Sequence, residues 1–202
     1  MTELEQKLPE DLRQEEKELR QKAYAYIGRV SVEVGDVVNF PALQVHSLQH
    51  GIRVIEFQTP HYERLIVMFA QKVLTQNHWD TDRAMDLINT EPYRLPEPQL
   101  LTEEDGYLEE RIVDFPDFSS ERIRMDENVS RKFQCEGRYH LIICVKGKLR
   151  LESQSGRILE LLPEEAVFLP ASSSLYRVTN SGADSMIFLR AVPVNAHSAK
   201  LD

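Results

Sequence analysis

Apolar and polar residues alternate along the second half of the chain. Between residues 139 and 191, short apolar runs are separated by small turns such as Ser155-Gly156 and Ser181-Gly182. Successive side chains of a strand point to opposite faces, and closely spaced short strands are typical of an antiparallel sandwich or barrel. The predicted strands are Tyr139–Val145, Lys148–Glu152, Arg157–Leu162, Ala166–Leu169, Leu175–Thr179 and Met186–Ala191.

The first half of the chain mixes helical and strand patterns. Residues 9–27 are rich in helix formers and carry Leu12 and Leu19 on a sparse apolar stripe, which predicts a surface helix. Alternating valines predict a strand over 29–34, and short apolar runs predict two more over 37–40 and 52–57.

Two further helices are expected before residue 90. Thr59-Pro60 is a typical helix start, and apolar residues recur at helical spacing from there to Val73. Asp80 is the predicted N-cap of a shorter helix, whose buried residues would be Ala84, Leu87 and Ile88.

The chain is predicted to contain two related halves joined by a linker. The Pro41-Ala42 turn and the Pro170-Ala171 turn both follow a short apolar strand, which suggests a weak internal repeat. Prolines and a run of acidic residues lie between the halves. The predicted divisions are a helical arm (1–28), a partial first barrel with helices (29–90), a linker (91–110), a C-terminal barrel (111–193) and a tail (194–202).

Composition narrows the class of protein. The chain has 202 residues, of which 42% are hydrophobic and 28% charged, a globular balance. The net charge of -9 argues against nucleic acid or an anionic membrane as a partner. There is no apolar stretch of membrane-spanning length and no signal-peptide pattern at the N-terminus, so a cytoplasmic protein is expected.

One spacing in the first half suggests metal chemistry. Gly35 is followed by five residues and Pro41, and then by four residues and His46. This spacing resembles the later half of the metal-binding signature of cupin barrels. The resemblance implies a mainly β fold, a cupin-like double-stranded β-helix (jelly-roll barrel) with flanking helices, and a bicupin-like arrangement with a partial first barrel.

Several segments, in order, resemble the C-terminal portion of the type I mannose-6-phosphate isomerases. Phe40-Pro-Ala-Leu-Gln-Val-His-Ser-Leu48 is similar to that family's Ile-Pro-Ala-Gly-Thr-x-His-Ala-Leu segment, and Val54–Gln58 to the strand that follows it. Asn77–Ile88 is similar to a family helix, and Phe168–Ser172 to the final Pro-Ala turn. The resemblance covers roughly residues 20 to 192. It implies a bicupin, metal-dependent aldose–ketose isomerase acting on a sugar phosphate through an enediolate.

The resemblance also implies site residues. His46 matches a metal ligand, and Arg64 matches the catalytic arginine, which would stabilise the enediolate or hold the phosphate. The family's other ligands, a Gln-x-His pair and a Glu, have no counterpart, so further ligands would come from other residues near His46 or from another chain. The divalent metal would be Zn, alternatively Mn, Fe or Ni. The further candidate residues are His50, Glu56 and His61 as metal ligands, and Gln44, Gln58 and Arg64 as substrate-binding residues.

Other functions remain open on the sequence alone. The C-terminal barrel has Tyr176 near the place where a cupin ligand is expected, so this barrel is predicted to bind no metal. A non-catalytic cupin, acting as a sugar-binding, metabolite-binding or regulatory module, is therefore the alternative. Cys135 and Cys144 have no basic cluster around them and are predicted to be inert. The first barrel has few strands and hence an exposed edge, which predicts a homodimer.

Overall fold

The computed structural model describes residues 9–59, 64–67, 78 and 80–194. The chain divides into two compact units, each built from several segments. The first unit comprises Met1–Asp36, Ala42–His46 and Tyr62–Glu91. The second comprises Val37–Pro41, Ser47–His61 and Pro92–Asp202, and it contains the whole of the β-structure described below.

The described residues of the first unit contain two helices. Helix α1 is Glu10–Ala25 and confirms the predicted N-terminal helix, although its apolar stripe is about half exposed, with Leu12 at 47% and Leu19 at 49%. Helix α2 is Thr81–Met85, with Asp80 as its N-cap, again as predicted. Neither helix is long and apolar enough to cross a bilayer, and no other described helix is either.

Burial along α2 is only partly as predicted. Ala84 is almost fully buried, whereas Leu87 is exposed. The predicted helix between Thr59 and Val73 is wrong at residues 64–67, which contain no helix. The remainder of that prediction, from residue 60 to 63 and from 68 to 73, lies outside the described residues.

The described residues of the second unit contain ten strands. They lie close together in sequence, separated by short turns, because small turn residues such as Gly147 and Gly156 allow the positive φ values that tight turns require. The six strands predicted between residues 139 and 191 are all confirmed. The strands are β1 (Gln99–Glu104), β2 (Tyr107–Asp114), β3 (Phe118–Met125), β4 (Ser130–Gln134), β5 (His140–Lys146), β6 (Leu149–Ser153), β7 (Ile158–Leu161), β8 (Ala166–Leu169), β9 (Leu175–Asn180) and β10 (Met186–Pro193).

The strand order is that of a jelly roll. One antiparallel sheet has the order β1-β2-β3-β10-β5-β8 and the other β4-β9-β6-β7. If β1 and β2 are set aside, eight strands remain in two four-stranded sheets, with the connections of a double-sheet jelly-roll barrel, the architecture of cupins. The predicted fold class, mainly β with a cupin-like barrel and flanking helices, is confirmed.

The core of the barrel is filled by side chains from both sheets. Strand alternation directs every second residue inward, and these inward residues form one cluster of buried apolar side chains. Phe133 stacks on Tyr176 with ring centroids 5.4 Å apart and meets Phe188 edge-on at 6.1 Å. The side chains with no exposed surface include Ile123, Met125, Ile142, Leu149, Val178, Met186 and Phe188.

The predicted linker over 91–110 is wrong in its second part. Strands β1 and β2 pair as an antiparallel hairpin, with Glu104 opposite Tyr107. The two residues between them, Asp105-Gly106, form a tight turn of the kind that hairpins favour. The acidic residues before this turn lie on the edge strand, where exposed charged side chains are common, so acidic composition alone did not indicate a linker.

The strands predicted over 29–34, 37–40 and 52–57 are absent, and the described residues between 29 and 90 do not form the predicted partial first barrel. The described residues in this region form no strand, although an isolated bridge joins Gln44 to Asn89. Alternating apolar residues favour a strand only where a neighbouring strand completes the hydrogen-bond ladder, and the described residues supply none here.

Candidate functional site

The predicted metal ligand His46 lies in the first unit, on the Ala42–His46 segment. Its side chain is exposed, and its Nδ1 lies 2.8 Å from the carbonyl oxygen of Gln44. A carbonyl oxygen can only accept, so Nδ1 is the donor in this hydrogen bond. Metal-binding histidines have this arrangement, in which one ring nitrogen donates to a carbonyl and the other ligates.

The predicted catalytic arginine, Arg64, lies in the same unit and is exposed. Two hydrogen bonds attach its segment to the start of α2: Ile66 N donates to Asp80 Oδ2 at 2.8 Å, and Asp80 N donates to the Ile66 carbonyl at 3.0 Å. Beyond the other end of α2, Asn89 N donates to the Leu43 carbonyl at 3.0 Å. The α2 region therefore connects the arginine segment to the segment that carries the predicted ligand.

The remaining predicted site residues belong to the second unit. His50, Glu56 and Gln58 are exposed, and His50 lies in a turn. His61 lies outside the described residues. The described candidates for metal ligands are thus divided between the two units, with His46 in the first and His50 and Glu56 in the second.

A complete metal centre is not formed by the described residues. Among residues 9–59, 64–67, 78 and 80–194, no three His, Cys, Asp or Glu side chains come together in a group that could hold a metal ion. The Nδ1 hydrogen bond of His46 suits a ligand, but protein metal sites require at least three such groups, as a rule. The metal prediction therefore depends on residues outside these ranges or on another chain.

A second polar cluster, which the sequence analysis missed, lies inside the barrel and is centred on Arg190. Its Nη2 donates to Glu109 Oε1 at 2.8 Å, and its Nε donates to Glu121 Oε2 at 3.3 Å. The guanidinium lies 4.7 Å from the centre of the Phe133 ring, and the Tyr176 hydroxyl also influences its pKa. Burial acts to lower the pKa of Arg190, but these partners outweigh it and raise the pKa, so the charge is retained.

His140 and Tyr176 extend the cluster across the barrel. His140 is 2% exposed and Tyr176 1%, and His140 Nδ1 lies 2.7 Å from the Tyr176 hydroxyl. This hydrogen bond joins β5 of one sheet to β9 of the other. Burial, together with the charges of Arg190 and Arg138, lowers the pKa of His140 to about 4.

The two carboxylates of the cluster have further partners from this chain. Tyr107 donates its hydroxyl hydrogen to Glu109 Oε2 at 2.6 Å, and burial is the main reason why the pKa of Tyr107 is raised. The hydroxyl of Ser119 donates to Glu121 Oε1 at 3.1 Å. The cluster thus holds its own charges in place, and it joins β2, β3, β9 and β10 across the barrel.

One signal in the sequence could have found this cluster. Alternate positions of β10 point inward and carry Met186, Phe188, Arg190 and Val192, of which Arg190 alone is charged. Glu121 has the same relation to Ile123 and Met125 on β3. A charge on the buried face of a strand needs a partner of opposite charge. The partner could not be identified, because it comes from a strand distant in sequence.

The two cysteines of the barrel are both buried and not in a disulfide. Burial raises the pKa of each thiol, so both are protonated at neutral pH. A protonated, inaccessible thiol is a poor nucleophile, in agreement with the prediction that Cys135 and Cys144 are inert.

Comparison with known proteins gives structural similarities of limited extent. No family model and no curated protein matches the chain. KdgF from Halomonas sp. is 18% identical, with 49% of this chain and 89% of that chain covered at a TM-score of 0.42. An RmlC-like cupin from Shewanella frigidimarina is 11% identical, with 50% and 88% covered at 0.42. A sugar phosphate isomerase of the cupin superfamily from Silicibacter pomeroyi is 16% identical, with 49% and 71% covered at 0.40. With these TM-scores, the similarities assign no family and no activity to this chain.

Proposed function

We propose that this chain is a mannose-6-phosphate isomerase-like cupin that interconverts the aldose and ketose forms of a sugar phosphate, with Gln44, His46 and Arg64 at the substrate. The observation that carries this proposal is the arrangement of the first unit. The α2 region is hydrogen-bonded both to the segment of Arg64, through Ile66, and to the segment of His46, through Leu43. The order of short segments that resemble this family, over roughly residues 20 to 192, supports the same assignment.

The chemistry assigned to Arg64 follows from its charge and exposure. Isomerisation moves a proton from C2 to C1 of the aldose through an enediolate, whose oxygens carry negative charge. A guanidinium can donate two parallel hydrogen bonds to such oxygens or to the phosphate. Exposed arginines that serve only in surface ion pairs contribute little to stability, so removal of Arg64 is expected to affect activity and not folding.

The proposal is tested by following the hydrogen at C2 of mannose 6-phosphate in deuterated water by NMR. Enediolate formation exchanges this hydrogen with solvent, so the C2 signal is expected to disappear in the presence of the purified protein. Arg64→Ala is expected to slow this exchange by about a hundredfold, the typical effect of removing one stabilising donor, and Arg64→Lys should restore part of the rate.

A matched control is Arg29→Ala, which removes another exposed arginine of the same unit. This change should leave the exchange rate unaltered. Metal content is measured on the same preparations, made without a chelator or a histidine tag, and on His46→Ala. If the metal-loaded protein leaves the C2 signal intact, or if Arg64→Ala and Arg29→Ala behave alike, the isomerase proposal is wrong.

A non-catalytic binding module is the second candidate, and the filled barrel favours it. The inward side chains of both sheets are closely packed, and the polar groups around Arg190 are satisfied by one another. A module of this kind would be free of metal while folded, and it would cause no exchange at C2. The metal analysis and the exchange assay therefore separate the two candidates.

A further inference from the structure

The second unit contains a cavity of about 420 Å³, in the range of small-molecule sites. It lies on the outer face of the six-stranded sheet, where β10 ends. Ala191 and Val192 are adjacent on β10 and both are buried, at 5% and 4% exposure. Adjacent strand residues point to opposite faces, so the outer face must be covered at this point. The cover is the segment of Phe57, Gln58 and Thr59, which lines the cavity together with Asp117, Phe118, Tyr139, Leu141, Ala191, Val192 and Pro193.

The aromatic side of the cavity is held by packing. Tyr139 packs against Phe168, with ring centroids 5.4 Å apart, and Phe118 meets Phe115 edge-on at 5.6 Å. Phe57 adds a third ring to the lining. Aromatic faces carry partial negative charge, so they attract the weakly positive C–H groups of a flat polar ligand.

The polar side of the cavity consists of Gln58, Thr59 and Asp117. The Asp117 carbonyl accepts from Val194 N at 2.9 Å, which attaches its turn to the end of β10. A carboxylate, an amide and a hydroxyl together accept and donate several hydrogen bonds. None of the described residues that line the cavity is a lysine, arginine or histidine, so an anionic ligand would find no opposite charge there and would face the Asp117 carboxylate.

We propose that this cavity binds a neutral carbohydrate, with the sugar ring against Tyr139 and Phe118 and its hydroxyls hydrogen-bonded to Asp117 and Gln58. A hexose offers C–H groups on its faces and hydroxyls around its rim, which matches rings on one side and polar groups on the other. This proposal involves none of Gln44, His46 and Arg64 and does not depend on them. A phosphorylated sugar is disfavoured here because the described lining residues offer it no positive charge.

The test is a titration of the folded chain with D-mannose and D-glucose, in which binding is measured by isothermal titration calorimetry and by saturation-transfer NMR. At least one neutral hexose is expected to bind in the millimolar range, and mannose 6-phosphate is expected to bind about tenfold more weakly at this site, a difference of about 1.4 kcal/mol. Tyr139→Ala and Asp117→Asn should each weaken the neutral sugar about tenfold, whereas Tyr139→Phe, which keeps the ring, should retain most of the affinity.

Two exposed residues away from the cavity provide matched controls. Tyr26→Ala removes an exposed tyrosine, and Glu127→Gln neutralises an exposed carboxylate. Neither change should alter the affinity. The proposal is overturned if no neutral hexose binds at tens of millimolar, or if Tyr139→Ala binds as tightly as the unaltered chain. Sugar binding that is lost in Arg64→Ala and retained in Asp117→Asn would also overturn it, because such binding would belong to the isomerase site.

Discussion

The stability of the barrel is expected to fall on mild acidification because of His140. This histidine is buried, and its Nδ1 lies 2.7 Å from the Tyr176 hydroxyl. Protonation would place a positive charge in a buried position and near Arg190 and Arg138, and both the burial and these two charges disfavour it. The folded barrel therefore excludes a proton that the unfolded chain binds readily.

The magnitude follows from the difference between the two pKa values. The pKa is about 6.5 for an unperturbed histidine and about 4 for His140 in the folded chain. The unfolded chain binds more protons between these values, so stability rises with pH through this window and is lost as the pH falls from about 6.5 towards 4. The loss amounts to about 2 kcal/mol between pH 7 and pH 5, and to about 3 kcal/mol when complete.

Urea denaturation at a series of pH values, followed by circular dichroism of the strand signal, measures this loss. Other groups also titrate in this range, so the comparison is with His140→Gln, which has no titrating ring. The variant is expected to be less stable at pH 7, but its free energy of unfolding should fall by about 2 kcal/mol less than that of the unaltered chain between pH 7 and pH 5. Parallel pH profiles for the two proteins would refute the reasoning, as would an NMR titration of the His140 ring with its midpoint near the ordinary value.

Two further predictions concern the packing of the barrel. Gly147→Ala should destabilise the barrel by about 2 kcal/mol or more, because φ is +83° and a Cβ would lie 2.9 Å from the backbone Cα of Met186. Gly156→Ala is the control, because φ is +80° there but the space around the glycine is open. It should lower the free energy of unfolding by only about 1 kcal/mol in the same urea titration. Phe188→Ala should lower the free energy of unfolding by about 3 to 5 kcal/mol because it leaves a cavity in the core. Phe168→Ala, on the exposed face, should lower it by about 1 kcal/mol or less. Equal losses for the two phenylalanines would contradict the assigned inner face of β10.

The C-terminal barrel was predictable because its local signals agree with its tertiary structure. From β5 onward, each strand is short, and most of the turns between strands contain a small residue such as Gly147 or Gly156. At Gly147 the turn has a positive φ and lies against the Met186 backbone, so the turn residue and the packing impose the same choice. When local turn and strand preferences agree with the tertiary packing in this way, a fold can be predicted from its sequence.

Prediction failed where the local sequence pattern did not indicate whether a segment would find a neighbouring strand to pair with. Val30, Val32 and Val34 alternate as a strand does, yet the described residues offer no neighbouring strand to pair with them. Conversely, Glu103-Glu104 resembles a solvated linker and yet forms the end of an edge strand, where exposed acids are well tolerated. In both cases the outcome depends on pairing, which a single sequence does not report.

The candidate site was predictable only in part, for a related reason. Gln44, His46 and Arg64 were identified from resemblance, and the bonds through Asp80 and Asn89 that connect their segments are tertiary contacts. The lining of the carbohydrate cavity comes from four segments that are far apart in the sequence, so no local spacing indicates it.

The Arg190 cluster shows why the interior of the barrel is not the reactive site. The Arg190 guanidinium donates to Glu109 and Glu121, and these carboxylates also accept from Tyr107 and Ser119, respectively. A ligand would have to displace one of these groups and leave a buried charge unpaired, which typically costs about 3 to 5 kcal/mol. The interior is therefore best suited to fixing the two sheets together, and ligand chemistry is expected at exposed groups, namely those of the first unit and those of the cavity at the end of β10.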